Sequence, residues 1–387
     1  MRMKVAGMVG GLMLFSLGFL VACTNSTSNS PGTASGATLL VTSQGDSAIE
    51  SFTLSTSTGA LTAVSGAGVA TGTAPFAMLF TPAGDAAFVS NAGSNNISSY
   101  TVNGNGALTA GSTTSSGGTS PMGMAIDGGG HFLFVANQGT SIDPASGTVS
   151  VFSISSGALT LVGTTVSDET ALPNNPPISV TGPVAVAVTP DAKFLYVANQ
   201  IQNTVSIFSV DATGALTRAI FPATVGTSPS ALAISSNGKF LYVANSGSNN
   251  VQGFSICGTA TPACLTPDGT LTEVTGSPIS TGLGPSYIAI SSTGNFAYVV
   301  DQQSNQLSSY KVNVGSGLLT ATTPVPAIST GLHPSSVVIS SGEQFVYVAN
   351  TGANTISQFT MDDTTGALTV VGTPITSGAQ PTALALR

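Results

Sequence analysis

The sequence predicts an all-β fold: a seven-bladed β-propeller of four-stranded blades, with the first blade closed by the C-terminal strand. Three observations predict it. A six-residue run recurs along the chain, reading FLYVAN at Phe240–Asn245 and Phe194–Asn199, FLFVAN at Phe132–Asn137, FVYVAN at Phe345–Asn350, FAYVVD at Phe296–Asp301 and AAFVSN at Ala86–Asn91, with a worn copy at 39–43. A proline opens each unit, at Pro75, Pro121, Pro183, Pro229, Pro285, Pro334 and Pro381, 46 to 62 residues apart. The chain also starts without an inner strand and ends with an unmatched one. Four strands in a unit of about 45 residues is the blade pattern.

Within a unit the order is constant, and 229–274 shows it. Pro229–Ile234 is the inner strand, and 235–239 (SSNGK) is a tight polar turn. Phe240–Asn245 is an apolar run, as expected of a strand buried on both faces. The Asn-rich turn 246–250 leads to an alternating third strand at 251–256. The fourth strand carries Gly-x-Leu-Thr, here from Gly269 and repeated from Gly59, Gly106, Gly157, Gly214 and Gly366. The unit starting at Leu39 lacks its inner strand, and 381–386 (PTALAL) supplies it. That closure leaves no free sheet edge. Six whole units and one shared unit make seven blades.

Composition supports an all-β chain and excludes several functions. There are 46 Gly, 21 Pro and no Trp, and charged residues make up 6% of the chain against 42% hydrophobic. The polar positions are largely Ser, Thr and Asn. The formal net charge is −8. So few cations cannot neutralise a nucleic-acid backbone, and they offer little to anionic lipid headgroups.

Residues 1–22 read as an export signal. Arg2 and Lys4 precede the apolar run 5–20, and Leu20-Val21-Ala22-Cys23 resembles a bacterial lipobox with Cys23 as the acylated residue; an uncleaved anchor is the alternative. Residues 23–36 form a Ser/Thr/Gly tether, and 37–387 the propeller. The expected location is the cell envelope outside the cytoplasm, with membrane contact through the lipid anchor only. Cys257 and Cys264 lie inside one insertion, and in an oxidising compartment they read as a disulfide. Two further enlargements lie at 141–147 and 166–180. Asp143, Asp168 and Glu169 lack the dense acidic spacing of a calcium loop, so no metal or cofactor is expected.

The Tyr-Val-Ala-Asn runs at 196–199, 242–245 and 347–350 resemble the YVTN repeat, and 39–387 is similar to the seven-bladed propeller lactonases named for bacterial 6-phosphogluconolactonase. The resemblance covers about nine-tenths of the chain. It implies Arg, His and Glu side chains around one channel end, formed by the loops before the prolines and the turns after the second strands. Here those loops present Ala74, Ser120, Gly182, Ser228, Gly284, His333 and Gln380, with no Arg or Lys. His333 is the titratable member and the candidate general base, polarised by Asp301 one blade earlier. Asn91, Asn137, Asn199, Asn245 and Asn350 are candidate ligand-binding residues; each also suits an Asx-turn on its own backbone. Two readings follow. In the first, the protein is a tethered propeller that binds a protein, glycan or small molecule through its enlarged loops, with no nucleic-acid partner. In the second, implied by the resemblance, it is a lactone hydrolase centred on His333 and restricted to an uncharged lactone, because a phosphorylated one would lack its cationic partners.

Overall fold

The computed structural model describes residues 37–387 apart from 65–67, 105, 141–145, 167–181, 219–221, 259–263, 265–266 and 323–326. Seven antiparallel sheets form a ring. Blade 1 joins the two ends of the chain: Thr38–Ser43 pairs with Pro381–Leu386, Leu39 opposite Leu386 and Val41 opposite Leu384. Blades 2 to 7 follow in order, with inner strands starting at Pro75, Pro121, Pro183, Pro229, Pro285 and Pro334.

The fourth strand departs from the expected single piece. In five blades it is broken in two. Leu271–Glu273 and Ile279–Ser280 both pair with Asn250–Ile256, for example. In blades 2 and 3 it is continuous, at Leu108–Ser115 and Ala158–Val166, with a register shift in the middle. An extra residue at that point either bulges or breaks the outer edge, where few contacts oppose it.

The second strands are the core. Every residue of Phe194–Asn199, Phe240–Asn245, Phe296–Asp301 and Phe345–Asn350 is buried. Alternation divides them between two interfaces. Phe240, Tyr242 and Ala244 pack against Ala297 and Val299 of blade 6, whereas Leu241 and Val243 pack against Phe194 and Tyr196 of blade 4. A strand clamped on both faces must be apolar throughout, which explains the runs.

The Gly-x-Leu-Thr signal has a partner in the preceding blade. A side chain on Gly317 would collide with the Phe240 ring, and on Gly366 with the Phe296 ring. Both glycines have positive φ, 77° and 73°. The ring lies against the glycine, and the tyrosine two residues after each phenylalanine donates to that glycine's carbonyl. Tyr242 reaches Gly317 O at 2.9 Å, Tyr298 reaches Gly366 O at 2.9 Å, and Tyr347 of blade 7 reaches Gly59 O of blade 1 at 2.8 Å. The same aromatic joint therefore closes the ring.

Cys257 and Cys264 are joined through their sulfurs, with Cα atoms 5.5 Å apart. Cys23 and all of 1–36 lie outside the described residues, as do Asp143, Asp168, Glu169 and most of the loops at 141–147, 166–180 and 257–264.

Candidate functional site

The channel end at which the chain runs into the inner strands, called the proline end below, is built from a repeated backbone device. The residue before each proline is left-handed: Ala74, Ser120, Gly182, Ser228, Gly284, His333 and Gln380 have φ between 48° and 63°. For a non-glycine residue this costs about 1 kcal/mol or more, and a following proline narrows the choice further. The conformation is held from both sides. For five of the seven, among the described residues, its N–H is donated to an asparagine of the preceding blade, as Ser120 N to Asn95 Oδ1 and His333 N to Asn305 Oδ1 at 2.7 Å and Gln380 N to Asn354 Oδ1 at 2.8 Å. Its carbonyl accepts from the residue after the second strand, as Thr351 N to His333 O at 3.0 Å. Those asparagines are left-handed too, a conformation Asn tolerates.

The asparagines that end the second strands do a different job. Asn91, Asn137, Asn199, Asn245 and Asn350 are fully buried. Asn91 Nδ2 donates to Ser98 Oγ at 2.9 Å, Asn199 Nδ2 to Ser206 Oγ at 2.8 Å and Asn350 Nδ2 to Ser357 Oγ at 2.9 Å. Asn137 and Asn245 donate to Ser150 and Asn250 of their own third strands. Asn91 and Asn350 also accept the N–H of Gly72 and Gly331 in their lead-in loops. A side chain on either glycine would meet the asparagine at 2.8 and 2.7 Å. These five buried amides, the expected ligand-binding residues, fasten a lead-in loop or third strand of their own blades.

The expected His333–Asp301 pair is also not formed. Asp301 takes the asparagine position in blade 6 and is fully buried. Ser308 Oγ donates to its Oδ2 at 2.5 Å. Burial pushes its carboxyl up to about 6, against the opposing pull of Ser308, Gly282 N, Gln306 and Thr281. His333 stands exposed on the lead-in loop of blade 7. Among the described residues the ion pairs are His131–Asp127 and Lys193–Asp191, both on the opposite face. Asp301 reaches His333 indirectly, because the turn that follows it carries Asn305.

Residues missed in the sequence complete this mouth. The first residue after each second strand bonds back to the left-handed residue, and four of the seven are glutamines: Gln44, Gln138, Gln200 and Gln302. Gln138 Nε2 donates across to Gln200 Oε1 of the next blade at 3.4 Å. Thr351 Oγ1 likewise reaches Pro381 O of the next blade at 2.6 Å. The signal was the residue directly after each second strand, readable once the repeats are superposed. Leu283 and Leu332 add exposed apolar side chains in blades 6 and 7. The acids of blade 1 are engaged: Asp46 accepts Ala379 N at 2.6 Å and Glu50 accepts Gly378 N at 2.7 Å. Among the described residues no Lys or Arg lies at this end, and no group of His, Cys, Asp and Glu could hold a metal.

Two cavities lie at the other end. One of about 420 Å³ is lined by Ile339, Ser340, Leu386 and Arg387, and one of about 350 Å³ by Ile126, Val188, Ile234 and Ser235. Their walls are aliphatic with a hydroxyl collar. Arg387 donates to Asn103 O at 2.5 Å. Neither wall carries His, Asp or Glu, so neither cavity is a site of acid–base chemistry.

A family model for lactonases with a seven-bladed β-propeller matches residues 66–167, 142–262 and 264–387. The chain belongs to this lactonase family. No curated protein matches it. Among solved structures, a candidate 6-phosphogluconolactonase of Bacteroides uniformis is 20% identical with a TM-score of 0.75, over 92% of this chain and 100% of its own. The periplasmic gluconolactonase of Pseudomonas aeruginosa is 22% identical with a TM-score of 0.74, over 90% and 98%. A Lactobacillus plantarum protein is 22% identical with a TM-score of 0.73, over 91% and 99%. At these identities the likeness to each structure is one of fold.

Proposed function

We propose that this lactonase-family propeller is a hydrolase that opens an uncharged lactone at the proline end of its channel. One observation carries the reading: in a chain of this family, that mouth holds neutral amides, hydroxyls and apolar side chains around one histidine, with no cation among the described residues. A phosphate or carboxylate on the substrate would find no partner there and would meet the field of a chain with net charge −8. The neighbour named for gluconolactone, a lactone without phosphate, supports the same substrate class.

In the proposed reaction His333 takes a proton from a water molecule as the oxygen of that water adds to the carbonyl carbon. The tetrahedral intermediate collapses with cleavage of the ring carbon–oxygen bond. The ring oxygen leaves with the proton from the imidazolium, giving the open hydroxy acid and restoring the base. Export and attachment through Cys23 belong to the proposal and place this chemistry in the cell envelope. The binding-module reading has less support, since the family match and the neighbours named for lactonases favour hydrolysis.

The test is hydrolysis of a lactone panel by residues 37–387, followed by base uptake at constant pH and corrected for the spontaneous rate. δ-Gluconolactone should be opened at least about tenfold faster than 6-phosphogluconolactone, and His333→Ala should lower kcat about 100-fold. Failure of the folded protein to open any lactone above background would overturn the proposal.

A further inference from the structure

The inner strands line the channel, and their third residue is small in six blades: Ala77, Gly123, Ala185, Ala231, Ser336 and Ala383. The reason is the closeness of neighbouring inner strands. A side chain on Gly123 would meet Val184 O at 2.7 Å and Ala185 Cα at 2.9 Å. The Oγ of Ser336 accepts from Leu384 N of the next blade at 3.2 Å. In blade 6 this residue is Tyr287. A phenol ring does not fit between two strands so spaced, and Tyr287 is 38% exposed although it sits on an innermost strand. The ring stands in the channel, near its proline end.

The other six tyrosines explain what is unusual about this one. Tyr100, Tyr196, Tyr242, Tyr298, Tyr310 and Tyr347 each donate their hydroxyl to a backbone carbonyl. Tyr287 has no such acceptor among the described residues. Enclosure by the channel wall pushes its phenol above the ordinary tyrosine range. At neutral pH it therefore keeps its proton and is a donor.

We infer that Tyr287 is a catalytic residue whose phenol donates a hydrogen bond to the carbonyl oxygen of a lactone held in the proline-end half of the channel. The inference rests on the hydrolase reading and deepens it. By register Tyr287 lies on the side of its blade that faces blade 7, whose lead-in loop carries His333. A lactone between them has its carbonyl oxygen on the phenol and its carbonyl carbon open to the water that His333 activates. As water adds, charge gathers on that oxygen, and a donor fixed in advance favours the transition state over the ground state. Phe76, equally exposed near the same end of blade 2, adds a second aromatic face. Such walls suit an uncharged ring and give no purchase to an anion.

The experiment compares Tyr287→Phe with the parent in two assays, kinetics on δ-gluconolactone and binding of gluconolactam, a ring that is not opened. The chain has no Trp, so tyrosine emission reports the titration directly. Removing the hydroxyl while keeping the ring should lower kcat about 10- to 100-fold, weaken the lactam and leave Tm within about 2 °C. If the parent opens the lactone and the variant equals it within about twofold, the inference is overturned and the hydrolase reading stands. If the parent opens no lactone but binds the lactam, and the variant does not, the hydrolase reading fails while Tyr287 remains the ligand contact. Neither turnover nor binding in the parent overturns both.

Discussion

The two ends of the channel are joined by different forces. At the proline end an asparagine from one blade holds the left-handed residue that opens the next, in Asn95–Ser120, Asn203–Ser228, Asn249–Gly284, Asn305–His333 and Asn354–Gln380. At the other end a phenylalanine ring lies on a glycine of the following blade, and a tyrosine hydroxyl caps that glycine's carbonyl. Hydrogen bonds are directional and fix where a backbone points. Ring-on-glycine packing is not directional, and it removes a large apolar area from water. The polar joint thus orients the mouth, while the aromatic joint carries more of the stability.

If that division holds, the largest effect comes from breaking an aromatic joint. Gly366→Ala adds a methyl group where the Phe296 ring lies, at a φ of 73° that L side chains rarely adopt. Phe296 is 2% exposed and cannot swing out without opening the interface between blades 6 and 7. The expected loss is about 3 kcal/mol in urea unfolding, summing strain and overpacking. The turnover of the molecules still folded should be unchanged. A stable Gly366→Ala protein would show that the aromatic joints are dispensable.

A smaller effect of opposite sign is expected at the proline end from Asp301→Asn. The native carboxyl titrates near 6 against 3.8 ordinarily, so the folded state binds this proton more tightly than the unfolded chain. Its contribution is fully present below about pH 4 and is lost as the pH rises through about 6. At pH 7 the native protein therefore carries a burden of at most about 3 kcal/mol at this site. Asparagine would restore the amide-to-serine bond seen at Asn91, Asn199 and Asn350. Asp301→Asn should raise stability at pH 7 by about 2 kcal/mol and flatten the profile between pH 4 and 6. Activity should survive. Its loss would return Asp301 to the chemistry.

The same contrast explains what could be read in the sequence. Blade number and ring closure were legible because each rests on local, repeated signals: the proline, the two-face buried strand, the Gly-x-Leu-Thr turn, and an unmatched C-terminal inner strand for a first unit that lacks one. The asparagines were legible as a ring but not in their role. Asn350 and Asn354 look alike in sequence, yet one turns into its own blade and the other reaches the next lead-in loop, and only the three-dimensional register separates them. Asp301 and His333 are neighbours on a map of the repeats, but burial takes one out of the channel mouth and exposure leaves the other in it. Tyr287 was within reach, as a single bulky residue at a position that is otherwise Ala, Gly or Ser.

The smallest change in stability should have the clearest functional consequence, at Asn305. Its Oδ1 accepts the His333 N–H at 2.7 Å on an exposed loop, so Asn305→Ala gives up one partly solvated hydrogen bond, about 1 kcal/mol. That bond helps to hold His333 at a φ of 48° ahead of a proline. Without it the residue gains access to the extended region that a pre-proline position prefers, and the imidazole swings with it. A general base displaced by about 1 Å loses on the order of 100-fold in rate. Asn305→Ala should therefore lower kcat by about tenfold or more with a Tm shift of only a few degrees, whereas Asn354→Ala, which frees Gln380 instead, should match its stability change and keep its kcat. Equal kinetic losses in the two variants would mean that these joints act on the ring as a whole and that His333 holds no special place in it.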